Sequence, residues 1–251
     1  MRHCIWTLIG AAFGFLSASA FAVDGLTLIN QSTVVAAGGY PYTISAAGSY
    51  QLSGNLHVTA SALSGINITS SNVTLDLNGF SIICSGTLTI AGIEAPSTTG
   101  ALAYNVQVKN GTVTGCGNGV LLFNAANVIV ESLRVSGYGT TESGGRLIYG
   151  IAASSGIIRN NTTLSNGNSG GISLGSGLVS SNSLSGDEIG ITVDGQSVVT
   201  GNTVSATSTG LLLLTGSTGS PLVGTNIFNA TTPISGTVLS QHNNFCNNSS
   251  C

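Results

Sequence analysis

The sequence predicts an all-β chain wound into a single-stranded, right-handed parallel β-helix, a solenoid of roughly eight coils. Three observations carry that prediction. A Gly-apolar pair recurs at Gly65-Ile66, Gly92-Ile93, Gly119-Val120, Gly150-Ile151, Gly171-Ile172, Gly190-Ile191 and Gly210-Leu211. A second short apolar run sits between successive pairs, as in Val73-Thr74-Leu75, Val106-Gln107-Val108, Val128-Ile129-Val130, Ile157-Ile158, Leu178-Val179, Val198-Val199 and Leu222-Val223. Asparagines Asn161, Asn182, Asn202 and Asn226 then follow that run at one equivalent place. Apolar runs this short, repeating without helical spacing, cannot bury a core alone and must stack on their neighbours.

Residues 1–22 read as an export signal. Arg2 and His3 are weakly basic, Ile5 to Leu16 is an apolar run too short to span a bilayer, and Ala20-Phe21-Ala22 is a small-x-small cleavage pattern. The mature chain then starts near Val23 and resides outside the cell or in a periplasm, with no membrane span of its own. Residues 23–64 read as an N-terminal cap with short strands, because Tyr42 to Ser45, Gly48 to Ser53 and Leu56 to Thr59 alternate apolar and polar residues. A solenoid end exposes core and strand edges and needs such a cap. His57 falls at an outward position of one of these strands.

Residues 65–240 form the coils. The first three gaps between Gly-apolar pairs are 27, 27 and 31 residues and the next two are 21 and 19, so the early coils carry the longer loops. Alternation of period two sends Val, Ile and Leu inward and Thr, Ser and Asn outward. At ~4.8 Å per coil the body is a rod about 40 Å long. The four asparagines suit a corner, where Asn accepts a left-handed bend and its amide can bond to the Asn above and below.

Composition limits the partners. Without Arg2 the chain holds four basic residues (Lys109, Arg134, Arg146, Arg159) against eight acidic ones. That excludes a basic patch of the size nucleic acid requires. Cys84, Cys116, Cys246 and Cys251 are even in number, as an oxidising compartment favours. Aligning Asn78-Gly79 with Asn110-Gly111 gives an offset of 32, the same as Cys84 to Cys116, so these two stack in adjacent coils as a disulfide or as buried thiols. Cys246 and Cys251 close a small loop that clamps a C-terminal cap at residues 241–251. Neither pair has metal-ligand spacing, and no metal or other cofactor is expected.

The run Asn72-Val-Thr-Leu-Asp-Leu-Asn-Gly-Phe80 after Gly65-Ile66, with Val108-Lys-Asn-Gly-Thr-Val113 and the asparagine ladder, resembles secreted β-helix repeat proteins of the pectin-lyase-like fold. The resemblance covers most of residues 40–251. It implies the right-handed helix and an extracellular glycan as partner, on a fold that hosts lyases, hydrolases, epimerases, spikes and adhesins. The hydrolase landmarks (Asn-Thr-Asp, Gly-His-Gly, Arg-Ile-Lys) and the lyase Trp-Ile-Asp-His run are absent here.

Candidate site residues cluster where all four mature basic residues lie, between positions 109 and 159. Lys109, Glu131 and Arg159 align in one outward column, with Asp76 near its start. The Gly137–Tyr149 loop adds Tyr138, Glu142, Arg146 and Tyr149. For β-elimination on a uronate, Lys109 or Arg134 would neutralise the carboxylate or take the C5 proton, and Tyr138 or Tyr149 would protonate the leaving oxygen. Glu131, Glu142, Arg146, Tyr149 and Arg159 would bind the chain. The alternative is an ordinary column of alternating surface charge. Asp187, Glu188 and Asp194 could pair for hydrolysis or hold Ca²⁺, although no calcium loop motif surrounds them. The expectation is a monomeric, non-catalytic glycan-binding or structural module, with a uronate lyase or epimerase and a spike-type subunit as alternatives.

Overall fold

The computed structural model describes residues 25–59, 62–85, 90–96, 102–139, 148–165, 169–214, 219–241, 243–247 and 249–251. The segment read as an export signal, Glu142 and Arg146 lie outside these residues. Parallel strands stack into a β-solenoid of about eight turns with three walls. The first wall runs Ile66–Ile68, Ala91–Glu94 and Asn118–Leu122 and continues through each Gly-apolar pair. The second includes Val73–Asp76 and Val128 to Glu131, and the third Ser81–Cys84, Thr112 to Thr114 and Thr162–Leu164. In the later coils single strands turn the corners without a break. Tyr149–Arg159 passes from first wall to second, and Ser183–Val193 from third wall to the next first wall.

The core is a set of inward columns. Ile66, Ile93, Val120, Ile151, Ile172, Ile191 and Leu211 stack in register on the first wall. Leu75, Val108, Val130, Ile158, Val179, Val199 and Val223 do so on the second. All fourteen are fully buried, as residues must be when they touch neighbours above, below and across.

The glycines of the Gly-apolar pairs stack as well, and the reason is steric. A Cβ on Gly190 would meet the Gly210 carbonyl oxygen at 2.8 Å and run into Val204 across the coil. One on Gly171 would meet the Gly190 oxygen at 2.6 Å and Asp187 Oδ2 at 2.7 Å. The corner between third and first walls therefore closes only without a side chain, and the column ends where Gly210 stacks on Pro233.

The asparagine ladder is present and longer than the sequence reading gave. Asn161, Asn182, Asn202 and Asn226 continue into Asn244, all five buried. In each step the amide nitrogen and backbone N–H donate to the Oδ1 of the next Asn, at 3.0–3.1 Å for Asn161 on Asn182 and 3.0 Å for Asn182 on Asn202. Each amide also donates to a carbonyl one coil back, such as Ile158 O for Asn182 at 3.0 Å. The left-handed bend, however, belongs to the residue before the ladder. Ser132, Asn160, Ser181, Gly201 and Thr225 have φ between 55° and 66°. The buried Asn is thus a backbone-satisfying group and its neighbour makes the turn. A second, exposed asparagine ladder, Asn72–Asn105–Asn127, marks the other bend, with amide bonds of 2.7 and 2.6 Å and φ of 53–58°.

Two other features depart from expectation. The N-terminal cap is not all strand, since Gln31–Ala36 forms a helix. Asn30 caps it, accepting from the backbone of Ser32 and Thr33 while Thr33 returns a bond to the Asn30 N–H, and Val34 plugs the core. Also, the outward side of the second wall is not polar throughout. Ile129, Ile157, Leu178, Val198, Leu222 and Leu239 stack there in six successive coils. Both disulfides form, Cys84–Cys116 with Cα atoms 4.9 Å apart and Cys246–Cys251 at 5.6 Å.

Candidate functional site

The charged column is built as the spacing implies. Asp76, Lys109, Glu131 and Arg159 are paired neighbours on adjacent coils of the second wall. Arg159 holds Glu131 through Nε at 2.8 Å and a second guanidinium nitrogen at 2.7 Å. The other Glu131 oxygen accepts from the Gln107 amide at 2.8 Å, and Lys109 Nζ lies 3.9 Å from Asp76. These cations answer carboxylates of their own chain, so the column is a closed set of pairs.

Tyr138 is in the core. Its ring packs against Gly150, where a Cβ would sit 3.0 Å away, and its hydroxyl donates to Asp187 Oδ1 at 2.5 Å. Asp187 is wholly enclosed. Thr163, which interrupts the apolar inward column of the third wall between Val135 and Leu184, approaches the other carboxylate oxygen at 3.5 Å, and Ser169 approaches Oδ1 at 3.4 Å. Ser165 and Ser169 share a hydrogen bond beside them. Burial pushes the Asp187 carboxyl up to about 7 against these hydrogen bonds, and burial together with Asp187 pushes the Tyr138 phenol up. A phenol held there faces the interior and not a polymer on the outer wall. The polar cluster ties three coils together from inside. Its signal in the sequence was Thr163 at an inward position and an acid placed where Gly171 leaves room.

The three acids considered for hydrolysis do not converge on a surface. Asp187 is internal and Glu188 half-buried. Asp194 sits at the corner between first and second walls, in a depression lined also by Ser154, Gly175, Ser176 and Gln196. Among the described residues no group of three His, Cys, Asp or Glu side chains is placed to hold a metal ion. Tyr149 is half-buried, edge-on to Phe123 at 6.2 Å and stacked against Gly170.

Arg134 is elsewhere, exposed on the third wall in register with Thr112 and Thr162. That wall presents two outward columns. Over five coils Thr112, Arg134, Thr162, Ser183 and Thr203 form one, and Thr114, Ser136, Leu164, Ser185 and Ser205 form the other; toward the C-terminus the first runs on into exposed Ile227 and Phe245 and the second into Asn229, and toward the N-terminus they reach Ser81 and Ile83. Eight of these ten positions carry a hydroxyl. Parallel pairing spaces them ~4.8 Å along the rod and about 7 Å across it, in a flat lattice. Ser136 bonds to Thr114 at 3.0 Å, while Thr162, Ser183, Ser185, Thr203 and Ser205 make no side-chain hydrogen bond among the described residues. Sequence reading missed this array because its rows differ, Thr-Val-Thr, Thr-Thr-Leu and Ser-Leu-Ser, and become a lattice only when registered.

No protein-family model, curated protein or solved structure matches this chain. No helix among the described residues is long and apolar enough to cross a membrane.

Proposed function

We propose that this protein is an exported, non-catalytic binding module that holds polysaccharide or cell-surface glycan against its third wall. The observation that carries the reading is the flat, exposed hydroxyl lattice with a single cation, Arg134, set into it. Free hydroxyls at a fixed repeat are donors and acceptors matched to the hydroxyls of an extended sugar chain, and a rigid wall spends little ordering entropy on contact. Arg134 adds a partner for a carboxylate or sulfate. Both disulfides suit an oxidising location outside the cytoplasm. The lyase reading is weaker because Lys109 and Arg159 are engaged by Asp76 and Glu131 and the Tyr138 hydroxyl is buried.

The test is binding of the purified protein to insoluble and soluble glycans, neutral and uronate, beside its Ser183→Glu/Thr203→Glu variant. Both positions point outward, and because they are paired neighbours the melting temperature of the variant is measured beside its binding to show that the fold is kept. Wild type should be retained, and the variant weakened by about tenfold or more, a loss of ~1.4 kcal/mol. Arg134→Ala should weaken only acidic glycans. The same samples are followed for the ultraviolet absorbance of an unsaturated uronate. A rise there, or binding that ignores the wall substitutions, defeats the proposal.

A further inference from the structure

The hydroxyl wall is not uniform along the rod, and its two ends differ in chemistry. One outward column runs Arg134, Thr162, Ser183, Thr203, Ile227 and Phe245 on successive coils. All six are exposed, Ile227 to 50% and Phe245 to 48%, so a cation stands at one end of a hydroxyl row and an aromatic ring at the other. Five coil steps of ~4.8 Å set those ends about 24 Å apart. Beside this column run Ser136, Leu164, Ser185, Ser205 and Asn229. Neither stretch holds another charged residue, and Lys109 and Arg159 answer Asp76 and Glu131 on the second wall.

We propose that the glycan held here has a low charge density. It is an extended chain of neutral sugars lying along the rod, with a single acidic group at the Arg134 end and the apolar face of a sugar ring on Phe245. This deepens the glycan reading and rests on it. Charge decides the class. A polyuronate carries a carboxylate on every sugar, and on this wall only one of them meets a cation. The others give up water for hydroxyls alone, beside a chain with eight acidic residues against five basic ones. A neutral sugar has no such cost, because Thr162, Ser183 and Thr203 can exchange hydrogen bonds with its hydroxyls. The ring completes the match. The face of an aromatic ring is electronegative and receives the weakly positive C–H groups that a pyranose presents on one side. Ile227 carries the apolar surface from Phe245 back to the hydroxyl at Thr203. A sugar ring is about as long as one coil step, so a chain of about six engages both ends.

Isothermal titration calorimetry with gluco-, manno- and xylo-oligosaccharides of graded length tests this. Each series is also made with one terminal uronic acid and is set beside oligogalacturonates of the same lengths. For the backbone that binds, affinity should climb to about six sugars and then level off, and the terminal acid should add severalfold. The oligogalacturonate should bind more weakly than the neutral chain of equal length. Phe245→Ala should cost the long ligand about tenfold and leave short ones little changed. Phe245→Leu, which keeps apolar cover without the ring, is the second variant should Phe245→Ala fold poorly. Arg134→Ala should erase the preference for the terminal acid. Three results would overturn the inference and leave the wall itself standing, provided binding still falls in Ser183→Glu/Thr203→Glu. They are an oligogalacturonate that binds tightest, affinity independent of length, and equal binding by wild type and both Phe245 variants. No binding by any chain removes the glycan reading and this inference together.

Discussion

Asp187 is the residue whose titration the fold should feel most. Its carboxyl is wholly enclosed, with the Tyr138 hydroxyl at 2.5 Å and Thr163 and Ser169 at the edge of hydrogen-bond range, and its pKa stands near 7 against 3.8 for an unperturbed carboxyl. The folded state thus holds the proton more tightly than the unfolded state. The stabilisation this gives is complete below pH ~4, shrinks as pH rises toward ~7, and is gone above that. A displacement of about three units, at ~1.4 kcal/mol each, sets a ceiling near 4 kcal/mol, which relaxation around the anion will reduce. Asp187→Asn copies the shape of the protonated acid and cannot ionise. Thermal unfolding of both proteins between pH 4 and 8 isolates the difference, since every other group is shared. At pH 4 the two should melt close together. By pH 8 wild type should fall several degrees below the variant, at ~2–4 °C per kcal/mol for a chain of this size. Parallel melting curves across the whole range would refute a buried, proton-holding Asp187.

Other consequences follow from the same packing. Asn202→Ala should cost about 2–5 kcal/mol, because the Asn182 backbone N–H and amide both lose their acceptor inside the wall; denaturant unfolding measures it. Reducing Cys84–Cys116, whose bridge closes a 32-residue separation, should cost about 3–4 kcal/mol by chain entropy, while Cys246–Cys251, separated by 5, should matter less, about 2 kcal/mol. Single Cys→Ser pairs at each bridge distinguish the two by melting temperature.

The coils were legible because burial repeats. Each Gly-apolar pair and each second run reports one inward position, and stacking copies that position coil after coil. Cys84–Cys116 was legible for the same reason. The Asp76–Lys109–Glu131–Arg159 column was equally readable, since charge alternates in register. What escaped was whatever depends on two segments meeting. Tyr138 lies at the start of a loop and reads as surface, yet Gly150 and Gly171 open a slot that takes its ring and the Asp187 carboxyl inside. The helix at Gln31–Ala36 had a local signal, Asn30 with Thr33 three residues on, that its Val-rich composition masked. The outward aliphatic column was hidden because Ile129, Leu178 and Val198 sit beside inward Val130, Val179 and Val199, and adjacent apolar residues blur the period-two pattern.

A parallel solenoid makes each outward position into a column, so its surface chemistry comes in stripes that run the length of the rod. Here the stripes differ by wall: hydroxyls over five coils of the third, giving way to exposed Ile227 and Phe245 at its C-terminal end, and aliphatics with a short run of paired charge on the second. The two walls meet only at a corner of small and amide side chains, so a glycan on the third wall leaves the second uncovered. Ser183 and Leu222 lie on different walls and share no strand pairing, so Ser183→Glu should weaken glycan binding while Leu222→Lys leaves it unchanged. Equal loss in both variants would refute a site confined to the third wall.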